Sequence, residues 1–524
     1  MSRALCAVAA LVLACLLVRA ARVGLAGDYV DPVSKISAQD ETLYAHTSIR
    51  MARQGGWLTP RFMGRYALYK PPLLYWLAGF SARIGGVSPL ALRFPVVLLC
   101  SLAAALVFWI AAIWRGWVAG IAAVLLLSGD HLWHVLSTLS MTDGVLVSLY
   151  IGSAACLVWD PRLESRRVFW CYAASVAAGI LTKSVAGMVP LGTLALYTAL
   201  GPPKVRPSPK RAAQAAGVAV ALALPWFAYQ LAAHGRWFWR EHVILEILSF
   251  GAGAPPQTTP ETKWGFYWTR LVQIDGALLV LAVVALPLLY GELRRRSATA
   301  VLMVCWFIPS VVAVLVFSYR NVSYVLPTVP VLAIVAAGCS PFLSRRPVWL
   351  LILCAGIFVF KASYGAEPWG ISFERGTVQQ VSGVLDDYAA RHRANEFILV
   401  GMDDNLYAST LPLARLRYGL VTPSLPGSSY LMPFDQMGIM VTAQQFNDLS
   451  RWEPVFRQKL REWGLNSDEP IGSVVLAPSL DALAEMIRAH PHSDFLLRDI
   501  DRAAVGATHE VVTVDPGHVL LLAR

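Results

Sequence analysis

Apolar runs approaching the ~20 residues needed to cross a hydrocarbon core recur along the first 362 residues of the chain. Each is read as a membrane-spanning helix. They place spans at 4–23, 89–113, 117–137, 143–159, 168–183, 185–200, 212–232, 273–291, 299–317, 322–338 and 348–362. The expected fold is an α-helical polytopic membrane protein of about eleven helices. Composition agrees, because a soluble domain with 56% hydrophobic and 15% charged residues could not cover its surface. The run Ala4–Ala21 also resembles a signal peptide with Val18-Arg19-Ala20 near a cleavage position. An uncleaved first span is the favoured reading, since later spans need it for orientation.

The formal charge of +11 is carried by short loops. With Arg3 in the cytoplasm, the inner loops hold Arg115, then Arg162, Arg166 and Arg167, then Lys204, Arg206, Lys210 and Arg211, then Arg294–Arg296, then Arg345 and Arg346. The opposite short loops near Lys183 and Arg320 hold one basic residue each. That is the positive-inside pattern, so the basic excess reports topology; no nucleic-acid partner is expected. All eight cysteines lie in or beside apolar runs without a histidine at metal-ligand spacing, which reads as buried thiols.

This orientation puts residues 24–88, residues 233–272 and everything after about 363 outside. Residues 363–524 change character. Short apolar runs (Phe397–Val400, Ile439–Val441, Val474–Ala477, Phe495–Leu497, Val511–Val514, Val519–Leu522) alternate with helix-like stretches such as Val378–Arg393 and Asp481–His490. A soluble, extracytoplasmic α/β domain is expected, without any motif that assigns it a chemistry.

The first outer loop carries the densest polar pattern. Residues 37–54 read as an amphipathic helix capped by Ser37, ending at Gly55-Gly56, with Asp40 and Glu41 in its first turn. Both carboxylates are also what a helix N-terminus favours without any chemistry. Tyr69-Lys70-Pro71-Pro72 then opens a stretch rich in Tyr and Trp that runs to Ile84, short for a span and suited to the membrane interface. Carboxylates, a lysine and arginines held there suit an anionic lipid headgroup better than a linker.

Read in order, Asp40-Glu41-x-x-Tyr44-Ala45, Trp57-Leu58-Thr59-Pro60-Arg61, Lys70-Pro71-Pro72-Leu73-x-Tyr75-Trp76-Leu77 and Leu92-Arg93-Phe94-Pro95 resemble the first periplasmic loop of a known family. It is the aminoarabinose-transferase-like, protein-mannosyltransferase-related group of GT-C integral membrane glycosyltransferases. The resemblance continues through Thr142-Asp143-Gly144, Leu181-Thr182-Lys183, Arg240-Glu241-His242 and Tyr324-Val325-Leu326-Pro327, and covers roughly residues 25–335. It implies transfer of a sugar from a polyprenyl-phosphate donor to a hydroxyl or phosphate of a glycolipid such as lipid A, a polysaccharide or a protein. The reaction would take place on the outer face of the inner membrane, with inversion at the anomeric carbon. A monomer is expected.

Such chemistry needs a carboxylate to take the acceptor's proton and cations to hold the departing phosphate. Asp40 is the expected base, Glu41 its alternative, and Asp143 the carboxylate that orients the acceptor. Lys70 is the first choice for the phosphate, with Lys183, Arg240 and Arg320 behind it. Tyr44, His242 and Tyr324 complete the expected donor site. Lys183 and Arg320 also have a plain reading as snorkelling side chains at helix ends. In the lipid A branch an acidic residue before Lys-Pro-Pro and the histidine of Arg-Glu-His have been linked to a metal. Here Tyr69 stands in the acidic position, which weighs against a divalent metal without removing it; no cofactor is firmly expected. His131 and His134 near Asp130 read as interfacial polar residues. A transporter or flippase is the rival class, but the charges gather at one face instead of mid-membrane; another polytopic transferase, such as a polymer ligase, is the second alternative.

Overall fold

A computed structural model describes residues 40–62, 65–249, 262–317, 320–342, 346–363, 396–400, 416–421, 474–477, 480–498, 508–515 and 518–524. The span expected at 4–23, the capping Ser37, the helix at 378–393 and the strand at 439–441 lie outside the described residues.

The described chain opens with α1 (Asp40–Gln54), a two-residue hairpin of β1 (Arg61–Phe62) and β2 (Arg65–Tyr66), and α2 (Leu73–Gly85). These are the two amphipathic helices read from the sequence. Gly55 and Gly56 end α1 with φ of 80° and 78°, a left-handed pair that glycine adopts at little cost. The helices touch at Gly79, where a Cβ would stand 3.1 Å from the Ser48 carbonyl. Trp76 locks the loop between them by donating its indole N–H to the Trp57 carbonyl at 2.5 Å.

The apolar helices follow: α3 (Pro89–Arg115), α4 (Trp117–Gly129), α5 (His131–Leu136), α6 (Thr142–Trp159), α7 (Arg166–Lys183), α8 (Val189–Leu200), α9 (Pro209–Phe238), α10 (Lys263–Arg294), α11 (Ala298–Val316), α12 (Val329–Gly338) and α13 (Pro347–Ser363). Among the described residues, five helices are long and apolar enough to cross a membrane and four more are apolar but shorter. Val280, Val283 and Leu286 on α10, with Val359 and Phe360 on α13, are exposed. Apolar bands of that kind face lipid in an integral membrane protein. Small residues let the buried helices approach closely: a Cβ on Gly187 would overlap backbone atoms of Gly179.

Three expected spans differ in detail. The run at 117–137 breaks at Asp130, whose carboxylate accepts the Trp133 N–H at 2.6 Å and caps the short α5. The run at 322–338 opens as a 3₁₀ helix, Val322–Thr328, before α12. The run at 273–291 is the inner part of the longer α10, which kinks at Asp275 (φ −133°). The kink frees the Ile274 carbonyl, and Lys361 near the end of α13 donates to it at 2.7 Å while pairing with the Asp275 carboxylate.

Beyond α13 the described residues form a six-stranded sheet of β3 (Glu396–Val400), β4 (Leu416–Val421), β5 (Val474–Ala477), β6 (Ser493–Arg498), β7 (His509–Asp515) and β8 (His518–Ala523), with α14 (Leu480–Ala489) between β5 and β6. The strand order is β5-β4-β3-β6-β8-β7. The first four strands are parallel, and β8 runs antiparallel to β6 and β7. β4 is a strand the sequence reading missed, because Arg417 and Gly419 interrupt its apolar residues.

Candidate active site

Two turns and one unusual helix converge on a cleft with about 820 Å³ of empty volume. Its polar end is formed by Lys70, Asp143, Lys183, Ser184, Glu246 and Tyr324. The remaining lining is mostly apolar, with Val147, Val189, Val314 and Phe317 among its side chains, and it also includes Tyr69, Tyr150, Ser310 and Ser323. An amphiphile with a small charged head and a hydrocarbon tail matches that division.

Each polar side chain has a local reason for its place. Asp143 stands in the first turn of α6, where the free N–H groups favour a carboxylate, and Lys183 ends α7, where the free carbonyls favour a cation. The two meet as an ion pair, Lys183 Nζ to Asp143 Oδ1 at 2.9 Å. The ammonium also lies 4.8 Å from the centroid of the Tyr324 ring, a cation–π contact. Lys70, entering α2 just before its two prolines, pairs with Glu246.

Glu246 lies on a π-helical segment, Trp239–Ser249, which a kink at Gly235 (φ 45°) sets off from α9. That segment is pinned by His242. Nδ1 sits 2.9 Å from the Leu68 carbonyl and Nε2 sits 2.7 Å from Ser184 Oγ. Leu68 can only accept, so Nδ1 carries the proton and Nε2 accepts from the serine hydroxyl. Burial, with the Lys70 charge as a smaller cause, pushes the ring down to about 4, so it is neutral at physiological pH. Ser184 itself has φ 42° and ψ −116°, a conformation suited to glycine. The hydroxyl it carries there ties the Lys183 turn to the strand that leads into Lys70.

Both nitrogens of His242 are therefore committed, and Tyr69, in the position where a carboxylate would be needed, is buried with its phenol pushed well above its usual range, chiefly by that burial. These residues do not fit a bound metal. His131 and His134 flank one turn of α5 with ring centroids 6.5 Å apart. Among the described residues no group of three or more His, Cys, Asp or Glu side chains gathers to hold an ion.

The expected site residues divide. The cleft brings together Lys70, Asp143, Lys183 and Tyr324, with His242 directly behind it. Glu41 is not among the lining residues and is engaged elsewhere. Arg93 Nε donates to Oε1 and Nη2 to Oε2, both at 2.8 Å, and the Ser140 N–H adds a third bond at 2.7 Å. With both oxygens engaged and no exposed surface, Glu41 anchors α1 to α3 and to the turn before α6. Tyr44 is buried against Tyr75, ring centroids 5.8 Å apart, and is not among the lining residues. Arg320 lies outside the lining as well, with its guanidinium 5.9 Å from the centroid of the Phe266 ring. The side chains of Asp40 and Arg240 lie outside what the structure describes. Glu246 was missed because no motif marks it; its only signal is its spacing of four from His242 on an outer segment.

Residues 69–229 match the family described as dolichyl-phosphate-mannose-protein mannosyltransferase. The undecaprenyl phosphate-alpha-4-amino-4-deoxy-L-arabinose arabinosyl transferase of Pectobacterium carotovorum subsp. carotovorum (strain PC1) is 27% identical over 325 residues, 59% of this chain and 56% of that protein. The chain thus spans little more than half the length of the curated relatives it matches. ArnT from Cupriavidus metallidurans shares the fold, with a TM-score of 0.69 for the crystal structure bound to undecaprenyl phosphate and 0.65 for the apo state. Both are 17% identical and cover 98% of this chain and 97% of that one. The chain is an integral membrane protein of GT-C fold, and its loop motifs resemble those of the aminoarabinose-transferase-like, protein-mannosyltransferase-related proteins.

Proposed function

We propose that the chain is a glycosyltransferase that moves a sugar from a polyprenyl-phosphate donor to an acceptor on the outer face of the cytoplasmic membrane. The observation that carries this reading is the cleft, which gathers Lys70 and Lys183 near Asp143 and is otherwise lined mainly by apolar side chains. The curated relatives named as undecaprenyl-phosphate aminoarabinose transferases support the donor class.

In this reading Lys70 and Lys183 hold the phosphate. An acceptor oxygen attacks the anomeric carbon from the face opposite the phosphate, and the bond from that carbon to the phosphate oxygen breaks. The phosphate leaves with the bonding electrons, and the lysines offset its growing charge. The acceptor's proton passes to a carboxylate. Glu41 is committed to Arg93, which leaves Asp40 as that base, with Asp143 orienting the acceptor. Inversion follows from a single displacement. The N-terminus lies in the cytoplasm, residues 1–362 form the membrane domain, and residues 363–524 form an outer α/β domain. The acceptor is a glycolipid, a polysaccharide or a protein.

Membranes supplied with radiolabelled polyprenyl-phosphate sugar test the reading. Asp40→Asn and Lys70→Ala should abolish transfer while folded protein persists. Full activity in both variants would overturn the assignment, and passage of the lipid-linked sugar across the membrane without a glycosylated product would identify a flippase instead.

A further inference from the structure

At the polar end of the cleft every lysine is matched by a carboxylate. Lys183 pairs with Asp143, and Lys70 pairs with Glu246, whose side chains are 15% and 20% exposed. Among the described side chains these four ionisable groups carry two charges of each sign. Asp143 has a use in orienting the acceptor. Glu246 has none in the transfer, and it sits against the lysine first in line for the phosphate.

Its position is imposed by more than that lysine. One turn earlier on the same segment, His242 is fixed to the Leu68 carbonyl and to Ser184 Oγ. Lys70 follows Leu68 by two residues, so one histidine holds Glu246 and Lys70 in register. A phosphate that displaces the carboxylate from the ammonium therefore finds it still close by. Its repulsion grows in proportion to the ligand's charge and is screened less between these partly buried side chains than in open water.

We propose that Glu246 is a charge selector at the donor site, occupying Lys70 until a lipid phosphate displaces it and disfavouring the phosphomonoester product more than the phosphodiester donor. The inference rests on the reading of Lys70 as a phosphate ligand. A sugar phosphodiester carries one negative charge. The lipid phosphomonoester left after transfer, with a second ionisation near pH 6, carries about −1.5 to −2 at neutral pH. Glu246 thus weakens a dead-end complex with the spent carrier and favours its exchange for a loaded one.

Two probes separate the charges: undecaprenyl phosphate and its methyl ester, bound to the purified full chain in nanodiscs at pH 7.5 and low salt. Glu246→Gln should tighten the monoester by about ten-fold or more and the methyl ester by a clearly smaller factor. Glu246→Asp, which keeps the charge, should preserve the wild-type ratio and so separates charge from packing. No tightening in Glu246→Gln, or equal tightening of both probes, overturns the selector. Lys70→Ala should weaken both probes. If it weakens them while Glu246→Gln changes neither, the selector alone falls; if Lys70→Ala leaves both unchanged, the phosphate reading falls with it.

Discussion

Glu41 and Arg93 lie 52 residues apart and meet in a bidentate pair, two N–H···O bonds of 2.8 Å each with neither side chain exposed by more than 1%. Removing one partner leaves a buried charge alone, which costs about 3–5 kcal/mol. Glu41→Gln and Arg93→Met should each lower the melting temperature in detergent strongly. The double variant should be more stable than the sum of the two losses allows, because neither charge remains. Strict additivity would remove the pair as the anchor of α1, and wild-type transfer by the double variant would confirm that Glu41 takes no part in the chemistry.

Ser184 combines a backbone conformation suited to glycine with a hydroxyl bonded to His242. Ser184→Ala keeps the strain and loses the bond, and should destabilise by about 1–2 kcal/mol. Ser184→Gly loses the bond and relieves strain of about 1 kcal/mol, so it should fall between alanine and wild type. Thermal unfolding of the three proteins gives the order directly; alanine equal to glycine would show that the backbone is not strained in the protein.

The neutral, buried His242 makes the π-helical segment Trp239–Ser249 acid-sensitive. Its folded value of about 4 lies below the free value of 6.5. Above pH 6.5 both states are neutral and the contribution is complete. As pH falls toward 4 the unfolded chain takes the proton first, and stability is lost by up to about 3 kcal/mol. The melting temperature of wild type should therefore drop more steeply between pH 6.5 and 4.5 than that of His242→Gln. Parallel slopes would show that this ring does not titrate in that window.

Two glycines with opposite surroundings test the close crossing of the 3₁₀ turn Ala186–Met188 over α7, beside the cleft wall. Gly187→Ala would drive a methyl into backbone atoms of Gly179, and backbone cannot rotate aside as a side chain can. It should cost at least about 2 kcal/mol and disturb donor binding at the neighbouring Lys183 turn. At Gly217 in α9 an added Cβ would meet nothing within 4 Å. Gly217→Ala should be neutral or stabilising by about 0.5–1 kcal/mol. A tolerated Gly187→Ala would mean that the crossing is looser than described.

The apolar runs were legible because length and hydropathy act along the chain, and α3, α6 and α11 begin within about two residues of where those runs do. What broke the other runs was local and short-ranged: a single carboxylate capping α5 at Asp130, and a kink at Asp275 supported from α13. Lys70, Asp143 and Lys183 could be listed from their loops, but their convergence is a tertiary fact. The motif containing Glu41 and Asp40 could not say which of the two faces Arg93, since neighbouring helical residues point about 100° apart. Arg93 was visible in its own motif without a role, and Glu246 without even a motif.

The reach of Lys361 to the kinked turn of α10 sets where the membrane part of the chain can be cut. In hydrocarbon an orphaned carbonyl has no water to turn to. A fragment ending before α13 would strip the Ile274 carbonyl and the Asp275 carboxylate of the same donor at once. The smallest fragment that keeps this turn satisfied must include Lys361. The last apolar helix among the described residues is thus a structural strut of the membrane body as well as the element that precedes the sheet.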